Sequence, residues 1–197
     1  MELLLVRHGL PLRVETPGTP ADPPLAGAGR VQAEALAHHW APRVDAVWTS
    51  PMLRAVQTAA PLVGRLGVEP TVDDDLAEMD RDQHHYIPLE ELRAHGPGWA
   101  EAVALWVGPE GEEMRRDLRR RVAAAVDRVV AAHRGQRVAV VCHGGVINAA
   151  LADVLGLGAT LFFEPAYTSV SRVVASSSGA RQLITVNETW HLDRGAG

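Results

Sequence analysis

The stretch Glu2-Leu3-Leu4-Leu5-Val6-Arg7-His8-Gly9 begins as an apolar run and breaks off in an arginine, a histidine and a glycine. Its apolar part is too short for a stable helix and suits a central strand buried on both faces. Far along the chain, Val138-Ala139-Val140-Val141-Cys142-His143-Gly144-Gly145 repeats the pattern. Each of these strands delivers a histidine, followed by glycine, at its C-terminal end. A third candidate strand, Val44 to Trp48, ends in Thr49-Ser50-Pro51 with Arg54 just beyond. In an open parallel sheet, ligands bind in the crevice outside those strand ends.

The segments between these strands supply the layers. Leu10 to Pro24 is rich in Pro, Gly and Thr and reads as a long surface loop. Leu25 to Trp40 reads as a helix, with Val31, Ala35, Leu36 and His39/Trp40 at helical spacing and Pro42 as its stop. Ser50 is placed to cap a second helix that starts at Pro51 and ends near Leu66, before Gly67. After a candidate strand at Val68–Val72, Asp73-Asp74-Asp75 leads through Leu76-Ala77-Glu78-Met79-Asp80 to a polar segment ending near Tyr86.

Residues 87–107 carry short helical patterns broken by Gly96, Pro97 and Gly98, which predicts an inserted helical flap at about 83–108. Glu112 to His133 is the longest helix, its apolar stripe formed by Met114, Leu118, Val122, Val126 and Val129/Val130. Arg115 to Arg121 read as its solvated face, ion-paired with Glu112, Glu113 and Asp117. A strand at 137–142, a helix from Gly145 to Leu155 and two strands near 169–175 and 181–187 complete the chain. The expected fold is α/β: a three-layer αβα sandwich around a mostly parallel sheet. One domain is expected over residues 1–193, with a frayed tail at 194–197.

Composition narrows the function classes. A formal net charge of −5 gives no reason to expect nucleic acid or an anionic membrane as partner. All 19 basic residues are Arg, and without Lys neither a Walker A phosphate loop nor a Schiff-base lysine is possible. A single Cys permits no internal disulfide, which fits a reducing compartment. No secretory leader or long apolar run is visible, so the expected location is cytoplasmic.

Arg7 and Arg54 offer planar guanidinium forks suited to phosphate oxygens. Gly144 and Gly145 open a helix whose N–H groups and dipole face the same crevice as His8 and His143. Together these groups describe a pocket for a phosphate dianion. With those residues in view, the sequence resembles the histidine phosphatase superfamily, also called phosphoglycerate mutase-like. Leu5-Val6-Arg7-His8-Gly9 is similar to its nucleophile motif, and Asp22-Pro23-Pro24-Leu25-Ala26-Gly27-Ala28-Gly29-Arg30-Val31-Gln32-Ala33 to its loop-to-helix stretch. Ser50-Pro51-Met52-Leu53-Arg54-Ala55-Val56-Gln57-Thr58-Ala59 resembles its second arginine motif, and His143-Gly144-Gly145-Val146-Ile147 its second histidine motif.

The resemblance implies a phosphoglycerate mutase-like fold. It also implies a metal-independent phosphatase, without cofactor, that hydrolyses a small-molecule phosphomonoester through a phosphohistidine on His8. Arg7, Arg54, His143 and Gly144 would hold the phosphoryl oxygens. Glu78, by its place in Leu76-Ala77-Glu78, would protonate the leaving oxygen, with Asp80 and Asp82 as the other candidates. A phosphoglycerate mutase-type transfer and a non-catalytic phosphate-binding module are the alternatives, and a monomer or homodimer is expected. The chain departs from the family pattern at Leu10-Pro11-Leu12-Arg13-Val14 and at Asp80-Arg81-Asp82-Gln83-His84-His85. Both segments normally contact the substrate body, so the departures weigh against phosphoglycerate mutase activity.

Other reactive residues have plainer expectations. Cys142 lacks the Cys-x5-Arg spacing of cysteine phosphatases, since the sixth residue after it is Asn148, and reads as a buried strand residue. Asp73-Asp74-Asp75 reads as a solvated charge run, and His38-His39 as a helix-boundary feature. Trp99 and Trp106 are expected mainly to pack, and His84-His85 are candidates to reach substrate from the flap.

Overall fold

The computed structural model describes residues 1–15, 22–87, 98–176 and 178–192. The apolar run at the start forms β1 (Glu2–Arg7), and both of its faces are buried as its unbroken hydrophobicity requires. Leu3 and Leu5 enter a core shared with α4 (Glu112–Ala132) and α5 (Gly144–Leu155). Leu4 and Val6 enter a second core against α1 (Gly27–Trp40) and α2 (Leu53–Leu66). The two cores on opposite faces of one sheet make the three-layer αβα arrangement.

That sheet also contains β3 (Ala46–Thr49), β4 (Thr71–Val72), β6 (Arg137–Cys142), β7 (Val170–Ala175) and β8 (Arg181–Glu188), in the order β4-β3-β6-β1-β7-β8. The first four are parallel, whereas β7 runs antiparallel to β1, and β8 antiparallel to β7. The register of β1 on β6 pairs Arg7 with Cys142. His8 and His143 are therefore the residues immediately beyond a matched pair, and they leave the sheet side by side. Ser50, one residue past β3, joins them because its N–H donates to the Val141 carbonyl at 3.0 Å.

Several helix details differ from the sequence expectation. In α1 the buried face is Gly29, Ala33, Leu36, Ala37 and Trp40. Val31, expected on the apolar stripe, is 71% exposed. Small residues close to the sheet decide this face, since Gly29 packs so tightly on Leu10 that an added Cβ would lie 2.1 Å from its carbonyl oxygen. Helix α2 starts at Leu53, and Ser50 does not cap it. Both carboxylate oxygens of Asp22 instead accept from the Leu53 N–H, at 2.9 and 2.8 Å. Of the two C-terminal strands, β7 lies inside the sheet, so β8 is the edge open to pairing.

The described part of the expected flap consists of β5 (His85–Tyr86), paired with β2 (Val14–Glu15), and α3 (Trp99–Val107). The Gly96-Pro97 break lies outside the described residues, as do the tail at 194–197 and Ser177 of the β7–β8 turn. No described helix is long and apolar enough to cross a membrane.

Arg121 corrects the view that the arginines of α4 are all solvated. It is 8% exposed and donates to the carbonyls of Asp75 (2.8 Å) and Ala77 (2.5 Å). The acidic run stays at the surface, with Asp74 exposed, but Asp73 and Asp75 both accept from Arg128. These bonds tie the segment leading to Glu78 onto α4.

Candidate active site

The strand register delivers a pair of imidazoles, His8 and His143, with ring centroids 5.1 Å apart. Both are buried. The backbone N–H of His8 extends the ladder by donating to the Cys142 carbonyl at 2.9 Å. Nδ1 of His8 lies 2.8 Å from the Gly9 carbonyl oxygen. A carbonyl can only accept, so Nδ1 carries the proton and Nε2 keeps its lone pair. Burial, then Arg54 and Arg7, hold the His8 pKa well below the ordinary value, so the ring is neutral.

Nε2 of His143 pairs with Ser50 Oγ at 2.8 Å, which is where the hydroxyl expected at a helix cap is used. Burial, followed by Arg54 and His8, depresses the His143 pKa as well.

Two guanidinium groups adjoin the imidazoles. Arg7 donates to the Pro165 carbonyl at 2.5 Å and lies 4.0 Å over the Tyr167 ring. Arg54 is 1% exposed, bonds Asp80 at 2.9 Å, and lies 4.7 Å over the Tyr86 ring. Stacking on aromatic faces fixes the planes of both forks. Nε and Nη1 of Arg54, and Nδ1 of His143, are buried without a hydrogen bond among the described residues. The two arginine nitrogens are unsatisfied buried donors, which are costly, and a bound anion would satisfy them. Tyr86 and Tyr167 in these supporting roles were missed from the sequence. An aromatic ring beside an arginine leaves no spacing signal when the two lie far apart in the chain.

Glu78 is the buried carboxyl of the three candidates, at 4% exposure. Its Oε2 accepts from the Gly145 N–H at 2.7 Å and its Oε1 from the Met79 N–H at 2.9 Å. Burial, reinforced by Asp80, raises its pKa, against the opposing effect of those two N–H groups. Asp80 is engaged with Arg54, and the Asp82 side chain is 89% exposed.

The glycines prove to serve packing more than expected. A Cβ on Gly145 would lie 2.3 Å from Glu78 Oε1, and one on Gly9 would lie 2.6 Å from the Gly29 carbonyl oxygen. The first glycine makes room for the carboxyl, and the second lets α1 approach. Thr58 was also missed as a structural support. Its hydroxyl accepts from the Gly9 N–H at 2.9 Å and donates to the Arg54 carbonyl at 2.7 Å, joining the two arginine segments.

Arg7, His8, Arg54, Glu78, Asp80 and Gly144 line one cavity of about 650 Å³. His143 does not line it but packs against His8, with the ring centroids 5.1 Å apart. Trp99 and Trp106 line the same cavity, so their expected role as packing residues is incomplete. His84 is exposed and does not line it, and the His85 side chain lies outside the described residues. Cys142 is buried, and burial pushes its thiol pKa up, away from any nucleophilic use. His39, at the end of α1, packs edge-on against Trp40.

The two depressed histidines have a thermodynamic consequence. Below about pH 6.5 the unfolded chain binds protons that folded His8 and His143 refuse, so stability falls as pH falls. Each contributes up to about 1.4 kcal/mol per pH unit below that value, until its own folded pKa is reached. Glu78, with a raised pKa, acts in the opposite sense but is a single group. Calorimetric melting should give a transition temperature that rises from about pH 5 to pH 6.5. The slope should flatten in a His8→Ala/His143→Ala double variant.

Similarity to known proteins identifies the family. The family model described as histidine phosphatase superfamily (branch 1) matches residues 3–189. A protein of Mycobacterium tuberculosis described as bifunctional is 30% identical in an alignment of 201 positions that covers 96% of this chain. The chain spans only 54% of that relative's length. Phosphoserine phosphatase 1 of Hydrogenobacter thermophilus is 26% identical over 98% of this chain and 94% of its own. Among solved structures, the mycobacterial glucosyl-3-phosphoglycerate phosphatase superposes with a TM-score of 0.75 at 25% identity, covering 95% of this chain and 99% of that one. The chain belongs to the histidine phosphatase superfamily, and its fold is that of the phosphoglycerate mutase-like members.

Proposed function

We propose that this member of the superfamily is a phosphatase that hydrolyses a small phosphomonoester through a phosphohistidine on His8. One observation carries the proposal: the Nδ1–H of His8 is committed to Gly9, so its Nε2 lone pair is available in a cavity shared with Arg7 and Arg54. The lone pair attacks phosphorus as the bond from phosphorus to the ester oxygen breaks. The departing oxygen takes its proton from the Glu78 carboxyl. Water then attacks the phosphohistidine, giving its proton back to the Glu78 carboxylate, and the P–N bond breaks to release inorganic phosphate. Arg7, Arg54, His143 and the N-terminal end of α5 stabilise the phosphoryl charge in both steps.

Relatives named phosphatases support hydrolysis, while others of similar identity are named phosphoglycerate mutase or mutase-like. The intact nucleophile geometry speaks against a non-catalytic binding module. Phosphate release over a panel of phosphomonoesters, with a metal chelator present throughout, tests the proposal. Steady release unaffected by the chelator is expected. Isomerisation of 3-phosphoglycerate, primed by its bisphosphate and without free phosphate, would instead establish a mutase.

A further inference from the structure

The cavity has two halves of opposite character. Its inner end is the cationic corner formed by the buried Arg7, His8 and Arg54. The outer part is walled by Trp99, Val103, Leu105, Trp106, Met114 and Phe162, drawn from α3, the start of α4 and the segment after α5. Leu105, Val107 and Phe162 remain 37%, 60% and 40% exposed along this wall. Large side chains of this kind left open to water beside a polar corner mark a surface that covers an apolar group.

The charges point the same way. Among the described residues lining the cavity, the cations are Arg7 and Arg54, both at the phosphate corner. The carboxyl groups lining it are Glu78, Asp80, Glu101 and Glu164. A substrate such as phosphoserine or 3-phosphoglycerate carries a carboxylate a few ångströms from its phosphate. Among the described residues of the outer part, that carboxylate would meet indole rings, the neutral amides of Gln83 and Asn148 and further carboxyl groups, and no cation.

From this lining we infer that the preferred substrate is a phosphomonoester whose leaving group is apolar or aromatic and carries no negative charge. This inference rests on the phosphatase proposal and specifies the body that the site accepts. The phosphate is gripped at the inner corner, and the organic part lies against α3 between Trp99, Trp106 and Phe162.

The test compares kcat/KM for naphthylmethyl and hexyl phosphate with that for phosphoserine and 3-phosphoglycerate. The apolar esters should be favoured by about tenfold to a hundredfold, the range that hydrophobic pockets give per small apolar group. Trp106→Ala should raise KM for naphthylmethyl phosphate about tenfold, with inhibition by inorganic phosphate unchanged as evidence of an intact fold. Val103→Arg should act in the opposite direction, improving turnover of phosphoserine while harming the apolar esters. Equal or better turnover of the carboxylate substrates by the unmodified protein would overturn the inference and leave the phosphatase proposal standing. Should no ester be hydrolysed, that proposal fails, and calorimetric binding of the same four compounds still decides the inference. Tighter binding of the apolar esters supports it, and equal or weaker binding overturns it.

Discussion

Replacing His8 by alanine lowers kcat/KM for any phosphomonoester substrate by about 10⁴-fold or more, the scale at which removal of a covalent nucleophile is felt. The loss is this large because no second described group can take over the attack. His143 lies 5.1 Å away, centroid to centroid, but it does not line the cavity, and its Nε2 is paired with Ser50. Cys142 is fully buried with its thiol pKa raised by that burial. Arg7, Arg54 and His143 remain in the variant, so inorganic phosphate should still bind. Phosphate-release kinetics together with calorimetric titration of phosphate separate the two effects. Loss of turnover with retained binding is expected, whereas loss of both would mean that the corner had collapsed.

Glu78→Gln should lower turnover of an alkyl phosphate by about 10²- to 10³-fold, within the usual range for removal of a general acid. Hydrolysis of p-nitrophenyl phosphate, whose leaving group needs no proton, should fall far less. The pH dependence carries the sign. The raised pKa of Glu78 keeps the acid protonated to higher pH than an ordinary glutamate. With alkyl substrates, kcat/KM should therefore decline as pH rises through that value, and this limb should vanish in the glutamine variant. The depressed pKa values of His8 and His143 keep both rings neutral well into the acid range, so the acid-side loss should lie below the usual histidine range. If Asp80 or Asp82 were the acid, Glu78→Gln would leave the limb in place.

Much of the site was legible in the sequence because a parallel register forces it. Two strands of matched length, each ending in His-Gly, can bring their histidines together only if paired in register, and β1 on β6 does so. The arginine of the Ser50–Ala59 stretch could be placed because it follows the end of β3, beside β6 in the same sheet. The supports could not be read in this way. Tyr86 over Arg54 and Tyr167 over Arg7 join residues far apart in sequence, and neither follows a periodic pattern.

The helix details failed for a related reason. Val31 has the right spacing for a buried stripe, but close packing of Gly29 on Leu10 rotates α1 so that Ala33, Leu36 and Ala37 face the core. Arg116 and Arg120 beside it are exposed, and the burial of Arg121 depends on the carbonyls of Asp75 and Ala77, which the helical pattern of α4 does not record. The same contact explains why an acidic run that looks solvated ends in a buried carboxyl at Glu78. Glycines were readable as close approaches, but what approaches Gly145 is the Glu78 carboxyl rather than a ligand.

The most direct test of the account is chemical trapping of the intermediate. Mixing the protein with a phosphate-labelled alkyl ester and quenching in alkali within milliseconds should leave label on the chain. The bond should resist alkali and break in acid, as a phosphohistidine does, and mass spectrometry should locate it on the peptide containing His8. Label on any other residue, or steady turnover with no labelled protein at any quench time, would contradict covalent transfer through His8.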